Sequence, residues 1–216
     1  NAQGFKHFNI GTNRPLKTPI GSFEFSVIGG TLKTIENQFF EQSNLKTEII
    51  KPNTRYLNIF SFVYNPILFK NLYFGFNRAF QQFSQLNPSS NLNKYYFISL
   101  QPLFRNNYRD DNLAIDQLLS GHVKLLFPKQ HSEIYFEYGW NDGSSNLRDL
   151  TLELAHSAAS IFGFKKLTYI KTNTYLLIEA EATKMAQSPG YLQRNAGNWY
   201  IHGLINEGYT NENQIM

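Results

Sequence analysis

Hydrophobic and polar residues alternate with period two along much of the chain. From Glu133 to Trp140, Ile134, Phe136, Tyr138 and Trp140 share one parity, and Glu133, Tyr135, Glu137 and Gly139 share the other. Successive side chains of a strand point to opposite faces, so such a segment has one oily and one wet surface. In the same way Leu119, Gly121, Val123, Leu125 and Phe127 oppose Ser120, His122, Lys124 and Leu126. Leu176, Ile178, Ala180 and Ala182 oppose Glu179 and Glu181, and Phe23, Phe25 and Val27 alternate with Ser22, Glu24 and Ser26. A helix would need apolar spacings of three and four, which these segments lack.

The pattern predicts nine strands, near residues 4–12, 21–31, 55–66, 69–79, 116–127, 132–142, 156–168, 174–185 and 198–208. The connections between them alternate in length. Those at 13–20, 66–68, 128–131 and 169–173 are short; those at 32–54, 80–115, 143–155 and 186–197 are long. This alternation puts every long connection at one end of an up-and-down sheet, as in outer-membrane barrels. Strands of roughly ten residues also match the length needed to cross a bilayer when tilted. The expected fold class is therefore all-β: part of an up-and-down antiparallel outer-membrane β-barrel, with short periplasmic turns and long extracellular loops. Residues 1–216 are expected to belong to one domain, with no second domain beside it. A soluble β-sandwich or a small lipocalin-like barrel also alternates. The strands are longer than the usual five or six residues, however, and Phe, Tyr and Trp gather near their ends as in interfacial girdles.

Nine is an odd count, whereas bacterial single-chain barrels have even ones. An open barrel would leave unpaired backbone edges in lipid, which is very costly. The residues are accordingly expected to be part of a longer protein, or to lack segments of it.

Composition narrows the classes further. Phe 19, Tyr 13 and Trp 2 make 16% of the chain, while charged residues are only 17%, below the typical quarter. A mean hydropathy of −0.38 fits a barrel, whose apolar surface is masked by alternation. No apolar run reaches the roughly 18–20 residues of a membrane helix. The absence of cysteine excludes disulfides, thiolate nucleophiles and Cys-built zinc sites. The net charge of +4 is too mild and too scattered for a nucleic-acid footprint, so no nucleic-acid partner is expected. Asn1 is not a natural start, which implies a processed or trimmed N-terminus.

Most candidate chemistry has a simpler structural reading. His7, His122, His131, His156 and His202 form no close metal pair, and no metal or cofactor is expected. Glu179 and Glu181 lie on one strand face, about 6.6 Å apart along the strand. That spacing could serve paired-carboxylate chemistry, but a charged lumen wall accounts for it. His156-Ser157 has no GxSxG elbow near it. Asn141-Asp142-Gly143 reads as a turn rather than a calcium loop. Glu24, His122, Lys124, Glu133, Glu137, Glu179 and Glu181 are the expected lumen-lining residues. Two long connections differ from filler. One has Arg148 and Asp149 followed by Glu153; the other joins Arg194, Asn195, Asn198 and Trp199. Flat rings for sugar CH faces, with amide, guanidinium and carboxylate groups for hydroxyls, form a set suited to glycan recognition.

At these residues the chain resembles the capsule assembly Wzi family of outer-membrane proteins, in its Bacteroidetes-type branch. Four stretches bear the likeness. The first runs from Phe8-Asn9-Ile10-Gly11 through Asn13-Arg14-Pro15-Leu16 to Phe23-Glu24; the second is Tyr135-Phe136-Glu137-Tyr138-Gly139 with Asn141-Asp142. The third is Asn146-Leu147-Arg148-Asp149 through His156-Ser157. The fourth runs from Gln187-Ser188-Pro189 through Arg194-Asn195-Ala196-Gly197 to Trp199-Tyr200 and His202-Gly203. The resemblance implies a large barrel, of which this chain is the central part. It also implies a non-enzymatic, lectin-like role in the outer membrane of a Gram-negative bacterium: holding capsular or other surface polysaccharide, beside a polysaccharide export complex. On that basis Arg148, Asp149, Glu153, Arg194, Asn195, Asn198 and Trp199 are the expected polysaccharide contacts, and outer-membrane lipid is a further partner. Arg14 and Lys17, in a short connection, are expected at the periplasmic end as structural contacts. The alternatives are a porin-like channel for small solutes and an enzyme acting on surface lipid or glycan.

Overall fold

The computed structural model describes residues 4–33, 54–83, 97–100, 115–141, 158–171, 173–186, 199, 210–211 and 214–215. Nearly all of them are antiparallel β-structure. The strands are β1 (Lys6–Gly11), β2 (Leu16–Thr18), β3 (Gly21–Lys33), β4 (Thr54–Pro66), β5 (Leu72–Phe83), β6 (Ile115–Phe127), β7 (Ser132–Asn141), β8 (Ala158–Lys171) and β9 (Thr174–Ala186). They form one nine-stranded sheet in the order β1-β3-β4-β5-β6-β7-β8-β9, with β2 also paired to β3. The sheet is up-and-down and does not close on itself among the described residues: β1 lies at one edge and β9 at the other. β10 (Thr210–Asn211) and β11 (Gln214–Ile215) form a separate small hairpin. The expected strand at 198–208 lies outside the described residues apart from Trp199.

The ninth strand of the sheet is instead β2, within the stretch expected to be a turn. Gly11 faces Ser26 and Leu16 faces Phe23, so the chain gains two residues on β3 between these pairs. Thr12 holds the gap: its N–H donates to the Phe25 carbonyl at 3.0 Å, and its hydroxyl accepts the Phe25 N–H at 3.2 Å. An insertion of two preserves parity, so Ile10 and Leu16 stay on the same face. The true turn is the pair Pro19 and Ile20, after which Gly21 takes φ +152°. A side chain there would also strike the Asn65 carbonyl, so glycine is required on both counts.

The next turn is longer than expected, and β5 begins at Leu72 rather than near 69. Asn65 organises it by donating its amide to the carbonyls of Lys70 (3.0 Å) and Leu72 (2.8 Å). The other tight turns contain His131 at φ 49° and Asn173 at φ 62°, the latter a residue type that tolerates the left-handed region.

Register makes the two faces continuous. Phe23 faces Tyr64, which faces Phe74, then Val123, Phe136 and Phe162, an unbroken apolar line over six strands. The adjacent line has Phe25, Phe62, Phe76, Gly121 and Tyr138. This oily face is open: Phe136 is 45% and Phe162 53% exposed. On the opposite face Glu24, Val63, Gly75, His122, Glu137 and Ile161 form the corresponding line.

Burial concentrates at the end of the long connections, on both faces. On the polar face Leu32 and Leu57 are buried beside a chain of side chains: Arg55 Nη1 donates to Gln81 Oε1 at 2.9 Å, and Gln81 Nε2 donates to Asp116 Oδ2 at 2.6 Å. An amide thus links a buried cation to a buried anion, which offsets the cost of desolvating each. On the oily face residues 97–100 fold over the sheet. The Ser99 N–H donates to Asn58 Oδ1 at 2.8 Å, Arg78 donates twice to Gln117 Oε1, and Phe97 meets Phe8 at 5.8 Å between ring centroids. The exposed oily belt lies between this cover and the tight turns.

Glycines on the polar face receive rings from the facing strand. Gly75 is paired with His122 and Gly163 with Tyr135, and a Cβ at either glycine would overlap that ring. A Cβ at Gly121, on the oily face, would meet only the Gly75 carbonyl oxygen, at an ordinary contact distance of 3.9 Å. Gly75→Val should therefore destabilise the folded protein by about 1–3 kcal/mol through overpacking, whereas Gly121→Val should cost nothing. Urea midpoints of the refolded variants check this, and equal midpoints would contradict it.

Candidate functional site

Seven charged or titratable residues read from the sequence as one wall are placed by register on one face. Glu24 lies on β3, His122 and Lys124 on β6, Glu133 and Glu137 on β7, and Glu179 and Glu181 on β9. His122 faces Glu137 and Lys124 faces Tyr135. Glu24, Glu179 and Glu181 are exposed; the other four are half-buried. The face is therefore wet and of mixed sign, rather than a single-charge surface.

Their partners come from neighbouring strands. Lys165 Nζ lies 2.8 Å from Glu179 Oε1, and Tyr135 donates its hydroxyl to Glu181 Oε2 at 2.6 Å. The two β9 carboxylates are thus held by different groups in different rows. The Lys124 ammonium lies 5.7 Å from the centroid of the Tyr73 ring. Between these charges and the buried Arg55–Gln81–Asp116 chain lie hydroxyls and amides: Ser61 donates to Asn77 Oδ1 at 2.7 Å, and Asn77 donates to Ser120 at 3.3 Å. Tyr73, Asn77, Ser61 and Lys165 are not among the residues expected from sequence. Lys165 has the right parity within its strand, but its pairing with Glu179 depends on register across a bulge at Tyr169 and Lys171.

Of the expected polysaccharide contacts, Arg148, Asp149, Glu153, Arg194, Asn195 and Asn198 lie outside the described residues. Trp199 is described. Its ring sits over the polar face, with Cη2 3.4 Å from where a Cβ of Gly139 would stand. It walls a cavity of about 290 Å3 lined mainly by apolar residues, among them Ala79, Leu118, Ala159 and Ile161, with Glu137, Asn77 and Ser120 as its polar groups. The indole N–H is buried and has no hydrogen-bond partner among the described residues. An aromatic plane beside a carboxylate and an amide is the chemistry that binds a sugar ring by its CH face and its hydroxyls.

His7 bonds the Phe5 carbonyl at 2.9 Å, and His131 lies in a turn; His156 and His202 fall outside the described residues. Among the described residues no group of three or more His, Asp or Glu side chains could hold a metal ion. Arg14, in the gap between β1 and β2, and Lys17, on β2 opposite Ser22, are both exposed.

Comparison with protein-family models, with curated proteins and with solved structures gave no match in any of the three.

Because Gly139 lies directly beneath the Trp199 ring, Gly139→Val should displace the indole into water. In a Trp140→Phe background this predicts a red shift of tryptophan emission; an unchanged spectrum would show that the ring does not rest there.

Proposed function

We propose that this chain is part of an outer-membrane β-barrel that holds polysaccharide at the cell surface without chemically altering it. The observation that supports the membrane reading is the oily belt. Aromatic and aliphatic side chains line up over six strands and stay exposed or half-buried, while the carboxylates of the sheet lie on the opposite face. A water-soluble sandwich or lipocalin-like barrel would bury that belt. Lipid is the solvent in which an exposed belt of this kind is stable. Strand length agrees: thirteen residues in β3, β4 and β6 rise about 40 Å, and a tilt near 40° leaves about 30 Å along the bilayer normal.

The glycan reading rests on the resemblance to the Wzi family and on the chemistry of the residues that bear it. Trp199, over the polar face, belongs to one of the four matching stretches. Arg148, Asp149, Glu153, Arg194, Asn195 and Asn198 supply the guanidinium, carboxylate and amide groups that hydroxyls need. Each contact with a sugar is weak, and repetition along a polymer multiplies them into firm retention. The lumen wall of Glu24, His122, Lys124, Glu133, Glu137, Glu179 and Glu181 keeps the inner surface hydrated in this reading. An export complex in the same membrane would deliver the polymer.

The test is capsule retention in the source bacterium. The double variant Arg148→Ala with Arg194→Ala should shed polysaccharide into the medium while reaching the outer membrane at normal levels. Full retention by that variant would contradict the assignment of these two residues.

A further inference from the structure

We propose that the rim of tight turns is a headgroup anchor that engages the phosphates of anionic phospholipid at the leaflet it meets. This inference rests on the membrane reading above and adds to it a lipid class and a site.

The tight turns at 19–20, 66–71, 127–132 and 168–174 contain no Asp or Glu, and Glu133 directly follows the third. They contain three cations, Lys70, Lys129 and Lys171, all exposed. The connections at the other end, 34–53, 84–114, 142–157 and 187–197, hold eight acidic and seven basic residues. The tight turns are therefore purely cationic, whereas the connections at the other end are close to neutral. Among the cations stand large apolar side chains: Leu68 is 84% exposed, Phe69 and Ile20 62%, and Ile170 61%. Ile67 joins Ile20 through a backbone hydrogen bond of 3.1 Å, so two neighbouring turns present one apolar edge.

Water is a poor neighbour for such side chains, and the membrane interface is a good one. The apolar turn residues continue the oily belt beyond its last paired rows, so whatever covers the belt also reaches them. The cations have flexible stems that follow the apolar surface while the charged head stays in the polar layer. They are also spread from turn to turn along the rim rather than clustered. Spacing of that kind suits a layer of separate phosphates better than a compact acidic protein. Lysines held close to an anionic leaflet are attracted to it, and salt screens the attraction.

The experiment uses the full chain reconstituted in phosphatidylcholine bilayers that contain spin-labelled phosphatidylglycerol or spin-labelled phosphatidylcholine. The fraction of label slowed at the protein surface is measured for each. The anchor predicts a roughly fivefold preference for phosphatidylglycerol. It predicts loss of most of that preference in the variant Lys70→Gln, Lys129→Gln, Lys171→Gln and at high salt. Should the triple variant fail to fold, the salt titration of the unaltered protein makes the same test. Equal slowing of both lipids, or a preference indifferent to salt and to the substitutions, overturns the anchor but leaves the membrane reading intact. No slowed fraction for either lipid overturns the membrane reading, and the anchor with it.

Discussion

Cross-strand register is the constraint on which the rest of this structure depends. Strand side chains alternate with a period of two, so a slip of one residue in any strand would carry its Phe and Tyr side chains into the row of charges. The protein avoids this even where the chain is irregular. The gap between β1 and β2 inserts two residues, and Ile10 and Leu16 remain on the oily side. The ring-over-glycine pairs help to fix the alignment, because His122 and Tyr135 lie where only Gly75 and Gly163 leave room.

The same constraint explains what could be read from the sequence. Parity alone sorts Glu24, His122, Lys124, Glu133, Glu137, Glu179 and Glu181 onto one face and Ile134, Phe136, Tyr138 and Trp140 onto the other. Parity does not reveal which residues meet, and the contacts of Glu179 with Lys165 and of Glu181 with Tyr135 emerge only from register. β2 was hidden for a related reason: an even insertion leaves the alternation unchanged. The first residues assigned to the fourth expected strand belong to a turn because Phe69 is as apolar as a strand residue; the Asn65 amide holds that turn. Arg55, Gln81 and Asp116 look like polar strand ends in the sequence, yet they form a buried chain where both faces are covered.

Function in this account follows from separating two solvents. In the proposed reading the oily belt faces lipid, the charged wall faces water, and the long connections carry the polymer contacts. Trp199 bears on the last two, since it lies in one of the stretches that carry the resemblance and its ring rests against the sheet over Gly139. The glycan role needs residues from both long connections, whereas the membrane role needs only the sheet, so the two stand on separate observations.

The most direct measurement compares two neighbouring residues on opposite faces. The chain has only two tryptophans, Trp140 and Trp199, so both can be replaced by phenylalanine to leave a dark background. Into it Phe136→Trp or Tyr135→Trp is introduced, and each variant is folded into vesicles of lipid brominated along its acyl chains. The account predicts strong quenching for Phe136→Trp and little for Tyr135→Trp. Quenching of Tyr135→Trp alone, or of neither, would contradict it.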